Sequence, residues 1–309
     1  MDSRIKQKKT TKTRDLKQTL TNELKDKTIL ITGGAGSVGS ALTKKILEYP
    51  VRTVRVLDID EHALFKLKRL INDSRLRLLL GSILDKDRIE MAGNEVDIVF
   101  HTAAIKNIEI SEFNPIETVD VNINGTINLI KMSMRDKPLK FINISTDKAV
   151  EPSTLYGTTK QMGELLTSWA GEHLHGITKF ASIRLGNVIE SRGNVFEIWE
   201  EEQRMNKPLS VTHPEMARYF FHINEAMEFI LGCLPYVERG EIFVPKMKSY
   251  RIEELAKRIS DKHKTIGLRQ GEKLEEVLIT SKEKKISQET ARMWIIKPYQ
   301  NGNRKKLKY

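Results

Sequence analysis

A single cysteine, Cys233, in a chain of 309 residues excludes an intrachain disulfide framework. It sits in the apolar run FILGCLPY, where a free thiol packs as a small hydrophobe. Also missing is any stretch near the ~20 apolar residues that a membrane-spanning helix needs. The amino terminus carries no apolar signal core. Together these absences predict a cytoplasmic chain without a transmembrane segment. No histidine, cysteine or acidic cluster has metal-ligand spacing, so no metal is expected. No internal repeat or low-complexity tract interrupts the sequence, and 39% apolar content is enough to bury a full α/β core.

Acid is scarce at the two ends. Residues 1–27 carry nine Lys/Arg against four Asp/Glu, and residues 297–309 carry five against none. Of the net charge of +11, only about +1 therefore belongs to the body. Basic blocks of this kind are solvated tails that allow weak contact with an anionic membrane surface. They give no support to specific nucleic-acid recognition.

What the body does contain is an alternation. KTILITGG, TVRVLDID, RLRLLLGS, VDIVFHTAA, LKFINIS and FASIRLGNV read as strands. Helical patterns between them run from Ser37 to Glu48, over Glu61–Asn72, over Pro115–Met134 and from Tyr156 onward. Short β-rich runs alternating with helices predict an α/β fold with a doubly wound parallel Rossmann sheet, its ligands along the carboxyl edge of the strands. After Arg184 the rhythm loosens, which predicts a smaller C-terminal substrate-binding lobe. The expected boundaries are a basic extension over 1–26, with a short helix around Leu16–Leu24, and an ordered fold beginning at Lys27. The Rossmann domain covers 27–188 and the lobe mainly 189–296, of which about 216–235 packs back on the Rossmann domain. A basic tail follows over 297–309.

Thr32-Gly33-Gly34-Ala35-Gly36-Ser37-Val38-Gly39 joins an apolar strand to an amphipathic helix. Gly33, Gly36 and Gly39 permit a tight turn, close approach of a pyrophosphate and close helix–strand packing. The helix start at Ser37 and Val38 offers unpaired N–H groups and a positive dipole to that anion. Asp58 ends the second strand, where a carboxylate accepts bonds from a ribose 2′-hydroxyl and repels a 2′-phosphate; this favours NAD over NADP. Ala103 and Ala104, after the fourth strand, let a cofactor approach the backbone.

A second constellation follows the fifth strand. Thr146-Asp147-Lys148 stands nine residues before Tyr156-Gly157-Thr158-Thr159-Lys160. Tyr156 and Lys160 are four apart and share a helical face. A nearby ammonium and a cationic nicotinamide would favour tyrosinate and make a phenol a usable base.

TGGAGSVG, HTAA, the NxNGT of Asn122–Thr126 and YGTTK together resemble the extended short-chain dehydrogenase/reductases. AAIKN with EFNP, STDKAVEP, RLGNVIESRGNV, VTHPEMARYF and GLRQGEKLEEVL narrow the resemblance to the polysaccharide-biosynthesis branch, that of inverting UDP-N-acetylglucosamine 4,6-dehydratases. It covers about residues 27–280. The resemblance implies a lyase that recycles NAD, with Tyr156, Thr146 and Lys160 taking the 4-hydroxyl proton, Lys148 acting at C5 and Asp147 protonating the departing 6-hydroxyl. It adds Asn122 to the cofactor contacts and sets Lys106, Asn187, Arg192, Arg218 and Glu272 around the UDP-sugar. It also implies a homo-oligomer, a dimer or higher. Asn107, Glu190, Ala217, Gln270 and Ser82 stand where relatives usually carry histidine, glycine, threonine, proline and aspartate. A UDP-sugar 4-epimerase needs the same Tyr156, Lys160 and NAD but no acid–base pair, and a non-catalytic NAD-binding sensor or scaffold would share the fold.

Overall fold

The computed structural model describes residues 16–174, 176–269 and 271–298. Helix α1 (residues 16–24) precedes strand β1 (Thr28–Thr32). The chain then runs through α2 (Ser37–Ile46), β2 (Thr53–Asp58), α3 (Glu61–Leu70), β3 (Leu76–Leu80), α4 (Lys86–Gly93) and β4 (Ile98–His101). Next come α5 (Ile108–Phe113), α6 (Pro115–Val119), α7 (Gly125–Asp136), β5 (Lys140–Thr146), α8 (Leu155–His173) and β6 (Lys179–Leu185). The six strands lie in the order β3-β2-β1-β4-β5-β6, and every pair is parallel. Helices cover both faces, which is why the TILIT of β1 is buried at every position rather than alternating. Short polar caps set the helix starts: Asp60 accepts from Ala63 N, Asp85 from Arg88 N and Thr154 from Gly157 N.

The ordered chain begins before Lys27. Leu20 and Leu24 of α1 are 4% and 0% exposed and pack into the main core. Burying a leucine contributes about 1.5–3 kcal/mol, enough to hold a nine-residue helix that its lysines alone would leave in solvent. Glu23 fixes it further through an ion pair of 2.5 Å to Lys140 Nζ. Residues 1–15 and 299–309, which hold most of the charge at the two ends, lie outside the described residues.

Pro115–Met134 was expected to be one helix. It is interrupted by a wide π turn over Asp120–Asn124 between α6 and α7. That turn buries Asn122 and aims its amide inward. Such turns recur at functional sites because they redirect a side chain without ending the helix.

The second half returns to the sheet more than the sequence suggested. Strand β7 (Asn187–Val188), α9 (Val195–Arg204), β8 (Leu209–Val211) and β9 (Ala217–Phe221) lead into α10 (Ile223–Cys233), whose Ala226, Met227, Ile230 and Cys233 enter the main core. Strand β10 (Glu241–Pro245) then extends the sheet, parallel to β6. After β11 (Ser249–Arg251), α11 (Ile252–Ile259), β12 (His263–Thr265) and α12 (Ser281–Ile286), β13 (Ser287–Glu289) and β14 (Met293–Ile296) close its edge antiparallel. What remains as a lobe is α9, β8, β9, β11, α11 and β12, around a separate cluster of Trp199, Leu209, Val211, Met216, Ile252 and Ala256.

Candidate active site

The turn after β1 is shaped by contact, not by flexibility alone. Gly33 has φ +65°, and a Cβ there would lie 2.5 Å from Ala103 Cα; one on Gly39 would lie 2.4 Å from the Gly33 carbonyl. Gly36 precedes α2 without a capping side chain, so the helix presents its first N–H groups at Ser37 and Val38 uncapped. Asp58 adjoins them, its carboxylate accepting from Ala35 N at 2.9 Å and Asp60 N at 3.1 Å. Uncapped donors, a cradle that a Cβ would fill and an acid beside it fit a dinucleotide. Ala103 lies against this turn, and Ala104 lines the adjoining cavity. Asn122 does not turn toward it. Its Oδ1 accepts from Ile105 N, and its Nδ2 donates to Ile105 O and Thr159 Oγ1, so it braces the loop after β4 against α8.

The carboxyl ends of β5 and β6 and the lobe enclose a cavity of 420 Å³. Thr146, Lys148, Tyr156 and Lys160 line it, together with Lys106, Asn187, Arg192, Arg218 and Glu272. Two elements bring the catalytic candidates together: the end of β5, and α8, which starts nine residues later with Thr154 as its cap. Lys148 Nζ donates to Asp147 Oδ1 at 3.0 Å and to Asn187 Oδ1 at 3.3 Å. Thr146 Oγ1 donates to the same Asp147 oxygen at 2.9 Å. Asp147 itself is 0% exposed and lies behind the wall formed by Thr146 and Lys148; its Oδ2 makes no hydrogen bond.

Electrostatics around the tyrosine differ from the sequence expectation. Burial is the largest influence on the Tyr156 phenol and pushes it above its ordinary value. The negative charge of Asp147 pushes the same way, and a hydrogen bond with Thr146 pulls it down. The lowering influence thus comes from the threonine. Lys160 instead donates to the Ile144 carbonyl at 2.5 Å, and burial draws its own pKa down to about 8. Burial, joined by the charge of Lys160, draws the His101 pKa down to about 3, and the ring nitrogens of this neutral imidazole share hydrogen bonds with Thr32 and Thr126.

Four substrate candidates make contacts within the chain. Arg192 reaches over the glycine turn, donating through Nη2 to Ala35 O at 2.8 Å, while its amide N donates to Ser37 Oγ at 3.0 Å. Lys106 Nζ donates to the Arg192 carbonyl and closes that loop over the cavity; burial lowers its pKa. Arg218 is buried and donates to the carbonyls of Ala217, Lys273 and Leu274, so it anchors the 271–280 segment rather than standing free for a phosphate. Glu272 folds onto its own turn, accepting from Arg269 N. Asn107 caps α5 through Ile110 N, and Glu190 pairs with His222. The sequence reading missed Glu276, which lines the cavity at 7% exposure. It lies in the quoted GLRQGEKLEEVL run, but nothing in that run separates it from Glu275.

Among the described residues no helix is long and apolar enough to cross a membrane. A family model described as polysaccharide biosynthesis protein matches residues 29–298. A Methanocaldococcus jannaschii protein named uncharacterized membrane protein MJ1061 is 42% identical over 91% of this chain and 89% of its own length. The inverting UDP-N-acetylglucosamine 4,6-dehydratase of Campylobacter jejuni is 36% identical over 88% of this chain and 83% of that protein. A UDP-glucose 4-epimerase of Rickettsia bellii is 34% identical over 84% and 79%. Among solved structures, Pen from Bacillus thuringiensis superimposes with a TM-score of 0.86 at 33% identity, covering 89% of this chain and 90% of that one.

Proposed function

The chain belongs to the polysaccharide-biosynthesis protein family of extended short-chain dehydrogenase/reductases, and from that membership we propose that it is an NAD-dependent UDP-sugar 4,6-dehydratase acting on UDP-N-acetylglucosamine with inversion at C5. The observation that carries the reading is the 3.0 Å bond between Lys148 Nζ and Asp147 Oδ1. One proton moved along it, from lysine to aspartate, gives both groups the form that elimination requires: an amine base and a carboxylic acid.

Bound NAD would supply the hydride acceptor for C4 and the hydride donor for C6. Tyr156, paired with Thr146, takes the proton of the 4-hydroxyl as C4 is oxidised. The resulting ketone acidifies C5, and Lys148 removes that proton. The 6-oxygen leaves as water with a proton from Asp147, for which Thr146 Oγ1 is the hydroxyl between the carboxyl and the cavity. Reduction at C6 and protonation at C5 from the opposite face give the 4-keto-6-deoxy sugar. The atoms balance as loss of one water, and the cofactor ends unchanged. Gly33, Gly36, Gly39 and Asp58 would hold the dinucleotide.

A 4-epimerase is the second reading, supported by the burial of Asp147 behind the cavity wall, since C4 chemistry needs only Tyr156, Thr146 and Lys160. Incubation of the purified protein with UDP-N-acetylglucosamine and catalytic NAD in deuterated water, read by NMR, separates the two. A 4-keto-6-deoxy product with deuterium at C5 and couplings of the inverted sugar is expected. A C4 epimer without solvent deuterium would sink the dehydratase reading, and NAD binding without turnover would favour a sensor.

A further inference from the structure

Glu276 is a carboxylate with no hydrogen bond to one of its oxygens, buried to more than nine-tenths, on the wall of the cavity. Its Oε1 stands 4.0 Å from Lys148 Nζ and its Oε2 3.6 Å from Lys273 Nζ. Both separations exceed hydrogen-bond length. Neither lysine is free to close them at no cost: Lys148 is bonded to Asp147 and Asn187, and Lys273 donates to the Val150 carbonyl at 2.8 Å.

The backbone on either side of the carboxylate is held in place. Before it, the carbonyls of Lys273 and Leu274 are held by Arg218, and Leu274 O also accepts from Ala217 N. After it, the Leu278 carbonyl accepts from the buried Arg184, and Leu278 and Ile279 pack against Val244 and Ile296. The two ammonium groups offset its charge at ion-pair distance, but a buried carboxylate oxygen left without a hydrogen-bond donor is costly unless a ligand supplies one.

We infer that Glu276 accepts a hydrogen bond from the 6-hydroxyl of the bound sugar. This rests on the dehydratase reading: if Lys148 works at C5, the sugar group within reach of both Lys148 and Glu276 is the hydroxymethyl arm on that carbon. The 4-hydroxyl lies with Tyr156 and Thr146. Glu276 then orients the 6-oxygen by taking its proton in a hydrogen bond and leaves the oxygen lone pairs to face the acid. It also selects sugars that have a 6-hydroxyl to lose, because a 6-deoxy sugar leaves the carboxylate unpaired.

The test is equilibrium titration of UDP-N-acetylglucosamine and of UDP-N-acetyl-6-deoxyglucosamine into NAD-loaded protein carrying Tyr156→Phe, which cannot begin turnover. With Glu276 present, the 6-deoxy sugar should bind about 10- to 100-fold more weakly, the range for a hydrogen bond to a charged group. Adding Glu276→Gln should weaken the parent sugar toward that level and leave the 6-deoxy sugar within about threefold of its former affinity. Equal affinities for the two sugars with Glu276 present would overturn the assignment, and this arm needs no variant at Glu276 to fold. Equal losses for both sugars in Glu276→Gln would also overturn it and make Glu276 purely structural. Failure of both UDP-sugars to bind while NAD is retained would instead overturn the dehydratase reading itself, and the assignment with it.

Discussion

Lys160 is buried on α8 with its ammonium against the Ile144 carbonyl, and its pKa of about 8 lies well below the ordinary lysine value. The unfolded chain therefore holds this proton up to higher pH than the folded one does. Stability rises with pH between about 8 and 10.5, where the two states differ in protonation, and the cost of the buried charge is fully present below that window. Lys160→Met should accordingly melt at a higher temperature than the parent at pH 7, by on the order of 2 kcal/mol after the lost bond to Ile144 is counted. The advantage should shrink as melts are repeated toward pH 10.5, and activity should be absent throughout. Tyr156 makes a complementary case. After burial, Asp147 raises its pKa, so Asp147→Asn should move the pH limb of C4 oxidation downward. A limb that stays in place or rises would show that the aspartate does not act on the phenol. Lys148→Ala should bind NAD as the parent does and lose C5 deuterium exchange and water loss, at least 100-fold by the scale of general-base catalysis.

Element by element, what the sequence makes legible is set by local chemistry. The glycine turn and the six parallel strands are written in residues that act on their immediate neighbours, so β1 to β6 emerge in the right order of type and place. Long-range partnership is not written that way. Asn122 belongs to a recognisable NxNGT run, yet its amide braces Ile105 and Thr159, across the π turn that no periodicity announces. Arg218 reads as a substrate contact by resemblance to the family; only the fold shows three backbone carbonyls around it. Likewise β10, β13 and β14 read as lobe because the βα rhythm fails after Arg184, although they pair with the main sheet. The same kind of partnership locks α8 in place. Arg184 on β6 bonds Glu164 of α8 at 2.7 Å and Glu283 of α12 at 3.0 Å, with Arg184 and Glu164 almost completely buried. Removing one partner leaves a buried charge short of compensation, so Glu164→Ala should lower unfolding stability by about 3 kcal/mol in urea titration. Because α8 carries Tyr156 and Lys160, activity should fall further than the folded fraction does.

At the scale of the whole molecule, the same helix leaves an apolar face uncovered. Met162, Leu165 and Trp169 recur along α8 at 40%, 59% and 47% exposure. Phe113 of α5 and Ile116 of α6 are 86% and 72% exposed, and both short helices pack beside α8. Single exposed apolar residues are ordinary, but five on adjoining helices form the kind of patch that marks an interface. The face lies on the helices that position the catalytic residues, and none of its five residues lines the cavity, so a second copy docked there need not block substrate. That fits the homo-oligomer expected from the family. Leu165→Glu places a charge in the middle of the patch without touching the main core. If two copies meet here, light scattering should find a dimer for the parent and a monomer, or a dimer weakened at least 100-fold, for Leu165→Glu, with NAD retention unchanged. An unchanged mass for the variant would move the contact elsewhere on the surface, and a monomeric parent would mean that α8 is held by its own chain alone, through the Arg184 triad and the Asn122 brace.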